Sequence, residues 1–307
     1  MHPSMPERVG PFALRELLSE TQGIQVWRAE RVVGERQPTA AVIRRAADPQ
    51  DAATARLIQQ EYETLRLLDD PRIPSVLGHF AGGASVALSY APGPTLAQLI
   101  LEHRQGRIRL QAAAVLDIVD DIAQALRHAH SRLHPTGRPV CHGHLSSRSV
   151  RLGPDGSIQL IGFGRALPPD APGVLAPERL TEAPVSPAAD QWALGALLLE
   201  LLTGRALYER EGGGADLASR LEGRVEAEIE PVARKHPGLG RLLARLLAAR
   251  PEQRFADEGE LVRTLQELRR SLPGSSDRLA LAEALATLRA DERAPIPLEQ
   301  PVQPVQP

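Results

Sequence analysis

The chain has 307 residues, a formal net charge of -2, 42% apolar and 24% charged side chains, which is the composition of a globular protein and not of a disordered one. No excess of basic residues argues for nucleic acid or an anionic membrane surface as partner. The single cysteine, Cys141, excludes a disulfide framework and a multi-cysteine zinc site. The N-terminal stretch lacks the apolar core of a secretory signal. The longest apolar run, Trp192 to Thr203, is too short for a bilayer and contains Glu200. A soluble cytoplasmic protein is expected.

Residues 1–10 read as an N-terminal arm. Beyond it, Ile24 to Trp27 and Ala40 to Ile43 have the β-branched character of strands, with a turn at Gly34-Glu35 between them. Asp51 to Leu68 is expected as a helix, because Leu57, Tyr62, Leu65 and Leu68 recur at roughly helical spacing, and Pro71 and Pro74 end it. Ser85 to Tyr90 is a strand candidate, followed by the breakers Ala91-Pro92-Gly93-Pro94. From Thr95 the character turns helical: Thr95 to His103 and Leu110 to Leu133 are amphipathic. Two short strands, Val150 to Leu152 and Ser157 to Ile161, flank a Gly153-Pro154-Asp155-Gly156 turn. A proline-rich segment, Leu167 to Pro184, precedes helical stretches at Ala188 to Leu202, Ala215 to Glu222, Leu239 to Ala249 and Asp257 to Leu272. An extra helix is expected over 277–290, with Asp277 as its N-cap. Its Leu281, Leu285 and Leu288 form a face for its own domain or for a partner. The tail 292–307, with Pro301, Pro304 and Pro307, is expected to be disordered, or an extended ligand for an aromatic groove.

A small strand-rich part with one helix, a breaker hinge and a larger helical part make an α+β, two-lobed pattern. Seven landmarks in order then resemble the eukaryotic-type protein kinase family as found in bacteria. Glu61 to Leu65 resembles its αC helix. Leu88 to Leu96, containing Ser89 and Ala91, resembles its hinge. His142-Gly143-His144-Leu145-Ser146-Ser147-Arg148-Ser149 stands where the family has H-R-D-L-x-x-x-N, and Gly162-Phe163-Gly164 where it has D-F-G. Ala176-Pro177-Glu178 is an intact A-P-E. Asp190 to Gly195 resembles the start of αF, and Pro251 to Arg254 the late motif whose arginine pairs with that glutamate. The resemblance covers roughly residues 12–272. It implies a bilobal protein-kinase-like fold over 11–272, with an N-lobe over 11–90 and a C-lobe over 95–272.

The same resemblance marks what is missing. With Val26 as anchor, the three glycine positions of the phosphate-covering loop are Ser19, Thr21 and Ile24. Gly23 is out of register, and Glu20 places negative charge where phosphates would sit. The strand lysine is replaced by Arg44, with Arg45 as the other candidate for the position. Of the 36 Lys and Arg residues only Lys235 is a lysine. Arginine can pair with Glu61 and touch phosphate, but its planar fork is not a lysine equivalent. The catalytic base position is His144, the lysine two residues later is Ser146, and the metal-ligand positions are Ser149 and Gly162. Mg²⁺ wants one or two carboxylates beside phosphate oxygens. The one Asp between Asp121 and Asp170 is Asp155, at a hairpin tip. Arg165 to Leu175 contains no Ser, Thr or Tyr to phosphorylate.

What the resemblance keeps is structural: His142 and Phe163 as packing between lobes, Glu178 with Arg254 as an ion pair, and Asp190 as acceptor for the catalytic-loop backbone. It therefore implies a degenerate member, a pseudokinase, with no catalytic residue, no metal and no cofactor, acting as a regulatory or scaffolding module. Its expected partner is a protein, an active kinase or another signalling component. The alternatives are a sensor holding ATP or ADP without Mg²⁺ through Arg44, Glu61, Ser89 and Ala91, and an atypical kinase using His144 as base.

Four bland readings accompany these. The histidines at 128, 130, 134, 142 and 144 sit better as structural residues than as a zinc site, and Cys141 as a packed residue. Gly212 to Gly214 reads as a flexible loop. Arg148 and Arg151 read as solvated surface or as an anion contact.

Overall fold

The computed structural model describes residues 7–32, 39–164, 175–181, 183–207 and 214–273. The proposed extra helix, the proline tail, the Gly34-Glu35 turn, residues 165–174 and Gly212-Gly213 lie outside them.

Alternation and β-branching in the N-terminal part produce six antiparallel strands: β1 (Arg8–Val9), β2 (Phe12–Thr21), β3 (Ile24–Arg31), β4 (Thr39–Ala46), β5 (Val76–Phe80) and β6 (Ser85–Ser89). They form one sheet in the order β1-β2-β3-β4-β6-β5. Arg8 and Val9, assigned from sequence to an arm, pair with Ala13 and Phe12 and so belong to the sheet. One face carries Phe12, Leu14, Ala29 and Ile43, capped by Trp27 and Phe80. The other packs Ala46, Val86 and Leu88 against helix α1 (Ala52–Leu65), which presents Ile58 and Leu65. Asp51 caps α1 by accepting from the Ala53 and Thr54 amides.

The larger lobe follows Thr95. Its helices are α2 (Leu96–Arg104), α3 (Ala112–His130), α4 (Pro187–Thr203), α5 (Gly214–Lys235), α6 (Pro237–Leu246) and α7 (Glu258–Ser271), with the ribbon β7 (Val150–Leu152) and β8 (Ile158–Leu160) facing the small lobe. The apolar run read from sequence is α4, buried nearly all round as a helix apolar on every side must be. Ser186 caps its start, Pro187 occupies the first turn, and Gly204 at φ 71 ends it.

The structure goes beyond the sequence expectation at β2, at β5 and at the end of α5. β5 is not read from sequence, because Gly78 interrupts its alternation and a register shift lies between Val76 and Gly78. α5 runs past Gly223 and Pro231 to Lys235, because Val225, Ile229 and Val232 bury one continuous face there.

Candidate functional site

The two lobes meet at a cleft built from both. Val26 of β3 and Val42 and Arg44 of β4 form its roof. Glu61 and Leu65 of α1 close the back, and Ser89 to Ala91 form the connecting edge. Arg151, Ile161 and Gly162 form the floor. The space it offers is about 80 Å³, well short of the roughly 300 Å³ at which drug-sized ligand sites begin.

Arg44 and Glu61 are both buried, and Arg44 Nε lies 2.7 Å from Glu61 Oε2. β4 puts alternate residues on one face, so Val42 and Arg44 look into the cleft while Arg45 turns away. Arg45 instead donates to Gln25 Oε1 at 3.0 Å, pairs with Glu7 and lies over the Trp27 ring. Of the two arginines, Arg44 is the one that faces Glu61 and lines the cleft.

The hairpin over the cleft is tight. Thr21 pairs with Ile24, and Gln22 at φ 51 and Gly23 at φ 74 make a two-residue turn of the kind that fits twisted strands. Gly23 is therefore explained by turn geometry. A Cβ on it would lie 3.3 Å from Thr54 Oγ1, so the tip sits over the start of α1.

His144, Ser146 and Ser149 sit on the loop below the cleft and do not line it. Ser149 Oγ donates to Ser146 O at 2.9 Å and accepts from Ser146 N at 3.0 Å, so its oxygen serves the loop itself. Burial, then the charge of Arg179, pull the His144 imidazole below its ordinary pKa against the opposing pull of Asp190. The neutral ring is thereby the favoured form. Gly162 contributes backbone only, at φ 106. Gly164 at φ 71 lets the chain pass under α1, since a Cβ there would lie 2.7 Å from Thr64 Cβ.

His142 Nε2 donates to Ile161 O at 3.0 Å, which leaves Nδ1 to accept from the His144 amide at 3.3 Å. Its ring packs edge-on against Phe163 at 4.8 Å between centroids. Asp190 at the start of α4 accepts from the His142 amide at 2.7 Å and the Gly143 amide at 2.8 Å. Arg254 makes a bidentate pair with Glu178 at 2.7 and 2.8 Å, and also donates to Ala188 O and Ala248 O.

His130 completes this lower network. Nε2 lies 2.9 Å from Asp190 Oδ2 and Nδ1 3.0 Å from Glu258 Oε1. Burial alone would lower its pKa, but the hydrogen bonds and charges of Asp190 and Glu258 outweigh burial and lift it to about 9. Among the described residues, His130, Cys141 and Asp190 are one grouping with the reach to hold a metal. The donor set does not suit one. Asp190 is already committed to three donors, and burial followed by the Asp190 and Glu258 charges pushes the Cys141 thiol up, away from the thiolate a metal needs.

The residue that sequence reading misplaced is Arg151. It is not solvated surface: it lines the cleft, and its Nη1 donates to Gly93 O at 2.6 Å. The residues present also do not fit a Mg²⁺ site. Positions 144, 149 and 162 supply a neutral imidazole off the cleft, a hydroxyl turned into its own loop, and no side chain. Glu61, the cleft's one carboxylate among the described lining residues, is paired with Arg44.

Comparison with known proteins agrees with this layout. The protein kinase domain family matches residues 31–265. The chain is 26% identical over 275 residues to the serine/threonine-protein kinase PknD of Mycobacterium tuberculosis (strain CDC 1551 / Oshkosh), spanning 84% of this chain and 40% of that one. It is 30% identical over 251 residues to the serine/threonine-protein kinase PknK of Mycobacterium bovis (strain ATCC BAA-935 / AF2122/97), spanning 76% of this chain and 22% of that one. It thus spans less than half the length of these relatives. The crystal structure of the Mycobacterium tuberculosis PknI kinase domain shares the fold, with a TM-score of 0.62 at 24% identity over 87% of this chain and 100% of that one.

Proposed function

We propose, because this chain belongs to the protein kinase domain family, that it is a catalytically inactive member working as a regulatory or scaffolding module that binds another protein. The observation that carries the reading is that, among the described residues, the two metal-ligand positions carry Ser149, whose hydroxyl is bonded within its own loop, and Gly162, with no side chain. Transfer is mostly positioning and neutralisation of charge by Mg²⁺. A neutral His144 can accept a proton, but a base without a metal leaves the transferred phosphoryl charge unopposed.

An active kinase or another signalling component is the class of partner this reading implies. No described helix is long and apolar enough to cross a membrane. Cytoplasmic placement belongs to the same proposal and is supported by the single cysteine.

A second reading of the cleft is a sensor holding ATP or ADP without Mg²⁺. The buried Arg44–Glu61 pair favours it; the small cavity opposes it. The relatives carry serine/threonine kinase names, so transfer is the outcome to test. Purified chain is incubated with γ-labelled ATP, Mg²⁺ or Mn²⁺, and a general protein substrate. No incorporation above a no-protein control is expected. Incorporation that falls at least tenfold in His144→Ala would sink the inactive reading.

A further inference from the structure

We infer that Arg151 is the residue that closes this cleft to nucleotides, by holding its guanidinium in the space a purine base needs. The inference deepens the inactive reading and rests on it for the identity of the cleft. A nucleotide using Arg44 for its phosphates must lay its base along the Ser89–Ala91 edge. That places the base beneath Val26 and Val42 and above Arg151. Roof and edge suit a flat apolar ring; the floor beneath them is a cation.

Three observations fix that floor. Arg151 Nη1 is bonded to Gly93 O at 2.6 Å, so the side chain spans from β7 to the connector. The strand carrying it cannot drop away: Leu152 N donates to Pro94 O at 2.9 Å, and Thr95 bridges to Arg151 through the backbone. Gly93, at φ 95, passes so close that a Cβ on it would lie 1.8 Å from Leu152 O. Connector and floor are thereby one unit, and the space above them stays at about 80 Å³.

The edge is also partly spent. Ser89 N donates to Ser75 O at 2.9 Å, and Ser89 Oγ accepts from Ser75 N at 2.9 Å, so this backbone donor is not available to a base. A guanidinium can stack on an aromatic ring. Here it would have to leave Gly93 O to make room. Charge does not do the excluding, since Arg44, Glu61 and Arg151 sum to a single positive charge that would attract phosphate. Exclusion is steric and acts on the base.

The test is thermal denaturation of the whole chain with ATP and with ADP, in chelator, for the wild type, Arg151→Leu and Arg151→Met. Wild-type chain is expected to show no shift at millimolar nucleotide. Either variant is expected to bind, raising the melting temperature by about 5–10 °C at a hundredfold excess over its Kd. Arg151→Met keeps the stem and loses only the fork, so it serves if Arg151→Leu does not fold. Wild-type binding within threefold of a variant overturns the inference, and so does a folded variant that gains no binding. Wild-type binding without transfer would overturn only the role of Arg151. Transfer would overturn the inactive reading itself.

Discussion

The base of the large lobe and the cleft above it treat charge in opposite ways. At the base, Arg254, Asp190, His130 and Glu258 are buried, and each meets an opposite charge or a full set of hydrogen bonds. Around the cleft, the positions matching the base and the metal ligands carry His144, Ser149 and Gly162, of which Gly162 alone lines it, and a cation, Arg151, stands on the floor. The Arg44–Glu61 pair belongs by its burial to the first kind, although it lines the second region. The difference teaches that the polar groups which hold this fold together are separable from those that handle phosphate.

The sharpest way to break the comparison is at the base. Arg254→Leu removes both bonds to Glu178 and the donors to the Ala188, Ala248 and Ala249 carbonyls, and a loss of about 3–5 kcal/mol is expected by urea unfolding. A loss below about 1 kcal/mol would remove the base network from the structural class.

Arg44→Met is expected to cost about 3 kcal/mol by removing the guanidinium that faces the buried Glu61 carboxylate. Adding Glu61→Leu should recover most of that loss, because apolar replacement of a whole buried pair is close to neutral. If the double variant is as unstable as the single one, the pair does more than pack.

A pH titration comes next. His130 has a folded pKa of about 9 against an ordinary value of 6.5. A raised folded pKa means the contribution is fully present below pH 6.5 and is lost as pH rises through 9. Unfolding free energy is expected to fall by about 3 kcal/mol across that window, and the fall should vanish in His130→Leu. A flat profile in the wild type would mean that His130 is neutral between its two carboxylates.

The smallest effect is expected at the connector. Thr95 and Gln98 form a capping box at the start of α2, and Thr95→Ala should cost about 1 kcal/mol.

Much of this was legible in the sequence, for a physical reason. Strands β3 and β4 and helix α1 announce themselves by β-branching and helical spacing, and Glu178, Asp190 and Arg254 fall within short motifs whose order survives. The floor of the cleft was not legible. In β7, Val150 and Leu152 are buried and Arg151 lies on the opposite face, which in a two-stranded ribbon reads as solvent. Only the return of the connector at Gly93, distant in sequence, covers that face. The place of Gly23 was not legible either: out of register for a phosphate loop, it is seen to serve a hairpin turn only because Gln22 shares its positive φ.

The most direct test of the central claim is whether the cleft can hold a metal–nucleotide complex at all. Electron paramagnetic resonance of Mn²⁺ with ATP and a molar excess of wild-type chain reads this without requiring turnover. The expected spectrum is that of Mn²⁺–ATP free in solution, unchanged by the protein. A saturable protein-bound Mn²⁺ signal that requires ATP would contradict the account.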